Sequence, residues 1–152
     1  PAGLHTVCRW AASSSTSTAV RCHMLFTVAA PSTRGVKMSN DCLFCKILAG
    51  EIPADLVYES ENAVAFRDIN PQAPLHVLVI PRKHIATIND IEPEDQEAVG
   101  SLYTAAREIA AAAGMAEEGY RAVMNCNEGA GQSVFHIHLH VLGGRVLVWP
   151  PG

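Results

Sequence analysis

Nothing in this chain is long and apolar enough to cross a bilayer as a helix, which takes about 18 or more apolar residues. The uncharged run Met24 to Ala30 falls far short. A concentrated positive surface is missing too. The formal net charge is −4, and four of the basic residues, Arg9, Arg21, Arg34 and Lys37, stand in the first 40 positions, where there is no acid. The rest of the chain therefore sets seven basic against fifteen acidic side chains. Such a domain is a poor match for a nucleic-acid backbone, which needs clustered Lys and Arg. Neither membrane nor nucleic acid is an expected partner. A single mononucleotide makes a smaller demand, because a few histidines and backbone N–H groups can hold one phosphate. A disulfide framework is also lacking. Cys8, Cys22, Cys42, Cys45 and Cys126 are odd in number and irregular in spacing, which fits a reducing compartment such as the cytoplasm. There is no internal repeat.

What is present is enough apolar residue for one core. At 152 residues the chain has room for a single ordinary domain. Residues 1–40 differ from the rest: WAASSSTSTAVR is rich in Ala, Ser and Thr, and the first acid is Asp41. That is the composition of a transit segment for a mitochondrion or plastid, with a translated leader and initiation at Met38 as the other reading. Either way the expectation is a disordered segment 1–40 and a folded domain 41–152.

Within that domain CLFCKILAG reads as a short helix closed by Gly50. Leu56 to Glu59 and Ala63 to Arg67 read as a hairpin of strands, Asn70 and Pro71 as a turn, and HVLVIP from His76 as a buried strand. A long helix follows. Asp90 is its expected cap and Pro93 stands in its first turn, with Glu94, Asp95 and Glu97 at the positive end of the dipole. Val99, Leu102, Ala106, Ile109 and Ala113 form its apolar stripe, and Gly114 its stop. Arg121 to Cys126 and Phe135 to Leu142 read as two further strands, joined by the glycine-rich NEGAGQS. The predicted fold is α+β: a five-stranded antiparallel sheet with one long and one short helix.

The chemistry is concentrated in VFHIHLHVLGG. A period of two puts His136, His138 and His140 on one face of a strand and Ile137 and Leu139 on the other. The outer two Cα atoms would stand roughly 13 Å apart, too far for one metal to take all three. A neutral imidazole is a nucleophile and a proton carrier near neutral pH. Attack on phosphorus needs one bare ring nitrogen and the other held as a donor. The loop Gly129-Ala130-Gly131-Gln132-Ser133 allows close backbone approach to an anion. His76, at a strand start, reads as structural, and Cys126 as a small buried residue.

Those alternate histidines resemble the mark of the histidine triad superfamily. DINPQAPLHVLVIPRKH, NEGAGQSVFHIHLHVLGGR and the terminal WPPG are similar to its Hint branch, the nucleoside phosphoramidases. The resemblance spans residues 41–152. It implies His138 as nucleophile on the α-phosphorus of a purine nucleoside phosphoramidate, with His140 and Gln132 on phosphate oxygens and Ser133 near the leaving amine. His136 and His84 would support the site from the side. It further implies Asn125 beside the phosphate, Asp68 on the ribose, and Phe66 and Ile69 around the base. A homodimer with a continuous sheet is implied, its tail carrying Trp149 into the partner's site. Cys42 and Cys45, with the C-x₂-C spacing of a zinc site, resemble microbial members. There His84 and His136 would complete one structural zinc per chain. Other readings are a dinucleoside polyphosphate hydrolase, a nucleotidyl transferase, and a nucleotide-binding regulatory dimer with residual turnover.

Overall fold

The computed structural model describes residues 41–151. The expectations for residues 1–40 lie outside them. Two helices and five strands follow in the order α1 (Leu43–Leu48), β1 (Leu56–Glu59), β2 (Ala63–Arg67), β3 (Leu75–Pro81), α2 (Gln96–Ala112), β4 (Tyr120–Val123) and β5 (Leu139–Gly143). The strands form one antiparallel sheet in the order β1-β2-β3-β5-β4. The predicted α+β architecture, with five antiparallel strands and one long and one short helix, is the observed one. Among the described residues no helix is long and apolar enough to cross a membrane.

Alternation along the central strands feeds two cores. Ala63 and Ala65 on β2, Val77 and Val79 on β3, and Leu139 and Val141 on β5 pack with Leu102, Ala105, Ala106 and Ile109 of α2. The intervening Val64, Phe66, Leu78 and Ile80 pack with Cys42, Phe44 and Cys45 of the α1 segment. Both faces of the sheet centre are thus covered, which is why β2 is buried over Ala63–Phe66 and β3 throughout, with no alternation of exposure. The triad histidines emerge on the α1 side, because Ile137, Leu139 and Val141 take the α2 side.

Several boundaries differ from those read in the sequence. The long helix begins at Gln96 rather than near Asp90. Two single 3₁₀ turns precede it, Ile88–Asp90 and Pro93–Asp95. Asp90 turns back to cap the first, its carboxylate accepting from Thr87 N at 3.0 Å and Thr87 Oγ1 at 2.7 Å. Asp95, 2 % exposed, accepts from Glu92 N at 3.1 Å and pairs with Lys83, tying the helix start to the strand that leads to His84. The expected stripe holds at Leu102, Ala106 and Ile109, but Ala113 lies beyond the last turn and is exposed. β4 spans Tyr120–Val123 rather than Arg121 to Cys126. β5 starts at Leu139, so of the three histidines only His140 stands in a paired strand. His136 and His138 lie on the segment leading into it, where His136 N and Ile137 N donate to the Val134 and Ile85 carbonyls instead of to a neighbouring strand.

Leu102 is fully buried between α2 and the sheet. Leu102→Ala should cost about 2–5 kcal/mol in urea unfolding, the range for emptying such a site. Glu117→Ala, on the exposed turn after α2, should stay within about 0.5 kcal/mol of the parent. A Leu102→Ala protein as stable as the Glu117→Ala control would place the core elsewhere.

Candidate active site and metal centre

The three histidines are held by backbone carbonyls and by one another. His138 is 4 % exposed, and its Nδ1 lies 2.8 Å from the His136 carbonyl. A carbonyl only accepts, so Nδ1 carries the hydrogen and the neutral ring is left with a bare Nε2. His136, fully buried, points Nε2 at the Pro81 carbonyl, 2.9 Å away. By the same logic its Nε2 is the donor and Nδ1 is bare.

His140 is fixed through another histidine. The Gln72 N–H donates to His76 Nδ1 at 3.0 Å, which makes Nε2 the protonated nitrogen of neutral His76. That Nε2 lies 2.9 Å from His140 Nδ1 and 3.4 Å from Asp68 Oδ2. His140 therefore accepts at Nδ1 and presents Nε2–H outward. Burial keeps His76 below its ordinary pKa, against the pull of Asp68. Burial also pushes His140 down to about 4, helped by its neighbours His138 and His76. Asp68, His76 and His140 lie within 4.8 Å of one another, a set that could hold a metal by proximity alone. The Gln72 N–H argues for a proton chain instead, since it demands the lone pair at Nδ1 and leaves Nε2 occupied.

His76 was not singled out as functional in the sequence. The signal was available: a period of two in HVLVIP places it on the face of Leu78 and Ile80, and Leu78 pairs with His140 in the sheet. Phe44 was also missed. Its ring meets His136 and His138 edge-on, with centroids 5.9 and 5.2 Å away, and Phe66 at 5.4 Å. It separates the buried end of the histidine row from the open end, where His138 and His140 are 5.0 Å apart.

On the far side of Phe44 lie Cys42, Cys45, His84 and His136, whose donor atoms all fall within 4.8 Å of each other. Cys42 Sγ is 3.6 Å and Cys45 Sγ 3.7 Å from His136 Nδ1; Cys45 Sγ is 3.4 Å from His84 Nδ1. The two Nδ1 atoms are 3.3 Å apart. A tetrahedral zinc with bonds of ~2.3 Å to sulfur and ~2.0–2.1 Å to nitrogen sets S···N edges of about 3.5 Å and N···N edges of about 3.3 Å. The side chains present fit such an ion. The bare Nδ1 of His136, fixed by its bond to Pro81, faces into the cluster, the usual support of a metal-bound histidine. Burial lowers the pKa of both His84 and His136, the latter to about 4.

Other expected residues are less gathered. Asp68 accepts from Asn70 N at 2.8 Å and points its second oxygen toward His76. Phe66 is buried, while Ile69 is fully exposed and free to meet a ligand. Asn125 lies over Gly131, whose Cβ, if it had one, would be 3.8 Å from Asn125 Nδ2. Ser133 is exposed. Gln132 is 2 % exposed, and its amide is engaged with backbone rather than turned outward as a phosphate ligand. Trp149 is 84 % exposed, on a tail whose Val148 carbonyl accepts from Arg121.

A sequence model of one family, the HIT domain, matches residues 49–147. The chain belongs to the HIT family. It is 50% identical over 110 residues to the purine nucleoside phosphoramidase of Escherichia coli K12, covering 72% of this chain and 92% of that one. An uncharacterized HIT-like protein of Synechococcus elongatus is 50% identical over 115 residues, 76% of this chain and all of the other. Among solved structures, a HIT family hydrolase from Legionella pneumophila aligns with a TM-score of 0.72 at 58% identity, over 74% of this chain and 100% of that chain. A histidine triad protein from Clostridium difficile aligns at 0.70 and 41% identity, over 72% and 96%.

The depressed pKa of His140 has a consequence for stability. Between about 4 and its ordinary 6.5 the unfolded chain binds this proton and the folded chain does not. Stability therefore rises with pH across that window and is lost as pH falls through it. In urea unfolding at pH 7 and pH 5, the parent should lose more stability on acidification than His140→Asn, which has no proton to take up there. Parallel losses would mean that His140 titrates as a solvated histidine.

Proposed function

We propose that this HIT protein hydrolyses the P–N bond of purine nucleoside 5′-phosphoramidates, of the AMP-amine or AMP-lysine type, through a nucleotidyl-histidine. The observation that carries the reading is the His138–His136 carbonyl bond, which leaves His138 Nε2 bare and aims the ring's only N–H at backbone. The name of the Escherichia coli relative supports the same substrate class.

In the first step His138 Nε2 forms a bond to the α-phosphorus and the P–N bond breaks. The leaving nitrogen takes a proton from solvent by way of the Ser133 hydroxyl beside it and departs as the amine. The ring gains positive charge, which its Nδ1–H shares with the His136 carbonyl. In the second step water adds to phosphorus, the N–P bond breaks, and His138 returns to its neutral form while the water's proton goes to solvent, replacing the one the amine took. His140 Nε2–H, with Asn125 near it, stabilises the phosphoryl oxygens as charge builds. Asp68 takes the ribose, and Phe66 and Ile69 line the base. The reading includes a homodimer with a sheet continued across the interface, which is supported by β1 and β4 standing at the ends of the sheet among the described residues and by the exposure of Trp149.

The metal in this reading is zinc, about one per chain, held by Cys42, Cys45, His84 and His136. Four protein ligands leave no open position for water, so its role is structural. It clamps α1 to the sheet and supplies no step.

With adenosine 5′-phosphoramidate as substrate, His138→Ala should keep less than about a tenth of the parent kcat while AMP still binds, since binding and chemistry rest on different groups. A variant retaining more, or a parent that prefers diadenosine polyphosphates, contradicts the assignment. Elemental analysis of protein purified without chelator should find the zinc. Cys42→Ser with Cys45→Ser should lose it and melt lower, yet still turn over substrate well below its melting temperature. Metal-free parent protein with an unchanged Tm would remove the site.

A further inference from the structure

The glycine-rich loop contains a strained residue and a side chain that answers it. Asn127 adopts φ 65° and ψ 170°, a region that glycine enters freely and other residues enter at a cost of order 1–3 kcal/mol. Gln132, five residues on and almost fully buried, holds that residue from both sides. Its Oε1 accepts from Asn127 N at 2.8 Å, and its own backbone N–H donates to the Asn127 carbonyl at 3.1 Å. Its Nε2 donates twice, to the Ala86 carbonyl at 2.7 Å and to the Val134 carbonyl at 3.1 Å. These partners settle which end of the amide is which, because two carbonyls can only be met by N–H groups.

One planar amide therefore joins three pieces of backbone: the start of the loop, the residue before the triad segment, and the stretch just after His84. The last two are tied again nearby, one residue before Ala86 and three after Val134, where Ile137 N donates to the Ile85 carbonyl at 2.8 Å. Only Gln offers two donors and an acceptor at this reach. Glu has no donor and Asn is a methylene shorter. The Ala86 and Val134 carbonyls are half-buried, and leaving either without its donor costs part of the penalty of an unsatisfied buried acceptor, which opposes a swing of this amide onto a phosphate.

We propose that Gln132 is a positioning residue, bracing the strained Asn127 against Ala86 and Val134 so that the loop stays curled beside the histidines. It touches no substrate, in contrast to the phosphate contact implied by family resemblance. The inference rests on the reading of this loop as the phosphate cradle of the proposed reaction.

Two measurements test it. In the full chain, the Asn127 backbone N–H should be protected from hydrogen exchange without nucleotide and remain protected when AMP saturates the site. An unprotected amide in the nucleotide-free protein overturns the brace. So does protection that collapses when AMP binds, since that would mean the Gln132 amide leaves for the phosphate. If AMP does not bind the parent protein, the proposed function fails, and the nucleotide-free exchange still decides the brace.

Gln132→Met keeps the volume and removes all three side-chain bonds. It should lower kcat/KM on the order of 10- to 100-fold, the scale of an ångström's misplacement. In an Asn127→Gly background, where the backbone reaches its conformation unaided, the same change should cost about threefold or less, as expected for sites coupled in one network. An equal loss in both backgrounds marks Gln132 as a direct ligand. A lower Tm with unchanged kcat/KM below it marks a purely structural prop. Either overturns the proposal, and if Gln132→Met does not fold, the exchange measurement on the parent protein decides.

Discussion

A neutral imidazole has one N–H and one bare nitrogen, and everything this site can do depends on which is which. Here the choice is made by backbone. The His136 carbonyl takes the His138 Nδ1–H, and the Pro81 carbonyl faces His136 Nε2. The Gln72 N–H reaches His76 Nδ1, which orders His140 in turn. Three adjacent alternate histidines with similar surroundings thus receive three different tasks. His136 turns a lone pair to the thiols, His138 leaves one open at Nε2, and His140 offers a hydrogen. Burial keeps His136 and His140 neutral, which this division of labour requires.

The fold imposes that order through the two-sided sheet. Residues of β2, β3 and β5 that face α2 are small or aliphatic and form the larger core. Those facing the other way meet α1, a helix of six residues that brings Cys45 and Phe44, with Cys42 at its cap, over the histidines. Phe44 stands between the sulfur-lined end and the reactive end, touching a ring on each side. A metal held by Cys42, Cys45, His84 and His136 would therefore also bear on the wall beside His138.

Much of this could be read in the sequence because it depends on local period. Alternation in VFHIHLHV placed the triad opposite Ile137 and Leu139, and the stripe Leu102, Ala106, Ile109 gave the face of α2. C-x₂-C pointed to a metal, although the partners His84 and His136 came from family resemblance. What the sequence did not disclose depends on distant pairs. His76 reaches His140 across 64 positions, and Phe44 reaches His138 from the first helix. The helix start was misplaced because Asp90 and Asp95 cap short 3₁₀ turns of their own, which the same acids and proline would also suit as a helix N-terminus. The backbone partners of Gln132, a residue expected on the phosphate from family resemblance alone, also lie outside any local period.

The most direct test of the account is the tautomer of each histidine, read from side-chain nitrogen chemical shifts in ¹⁵N-labelled protein at neutral pH. His138 should carry its hydrogen on Nδ1 with a bare Nε2, and His140 should appear neutral with the hydrogen on Nε2. A His138 protonated at Nε2, or averaging between the two forms, would contradict the claim that backbone fixes the nucleophile.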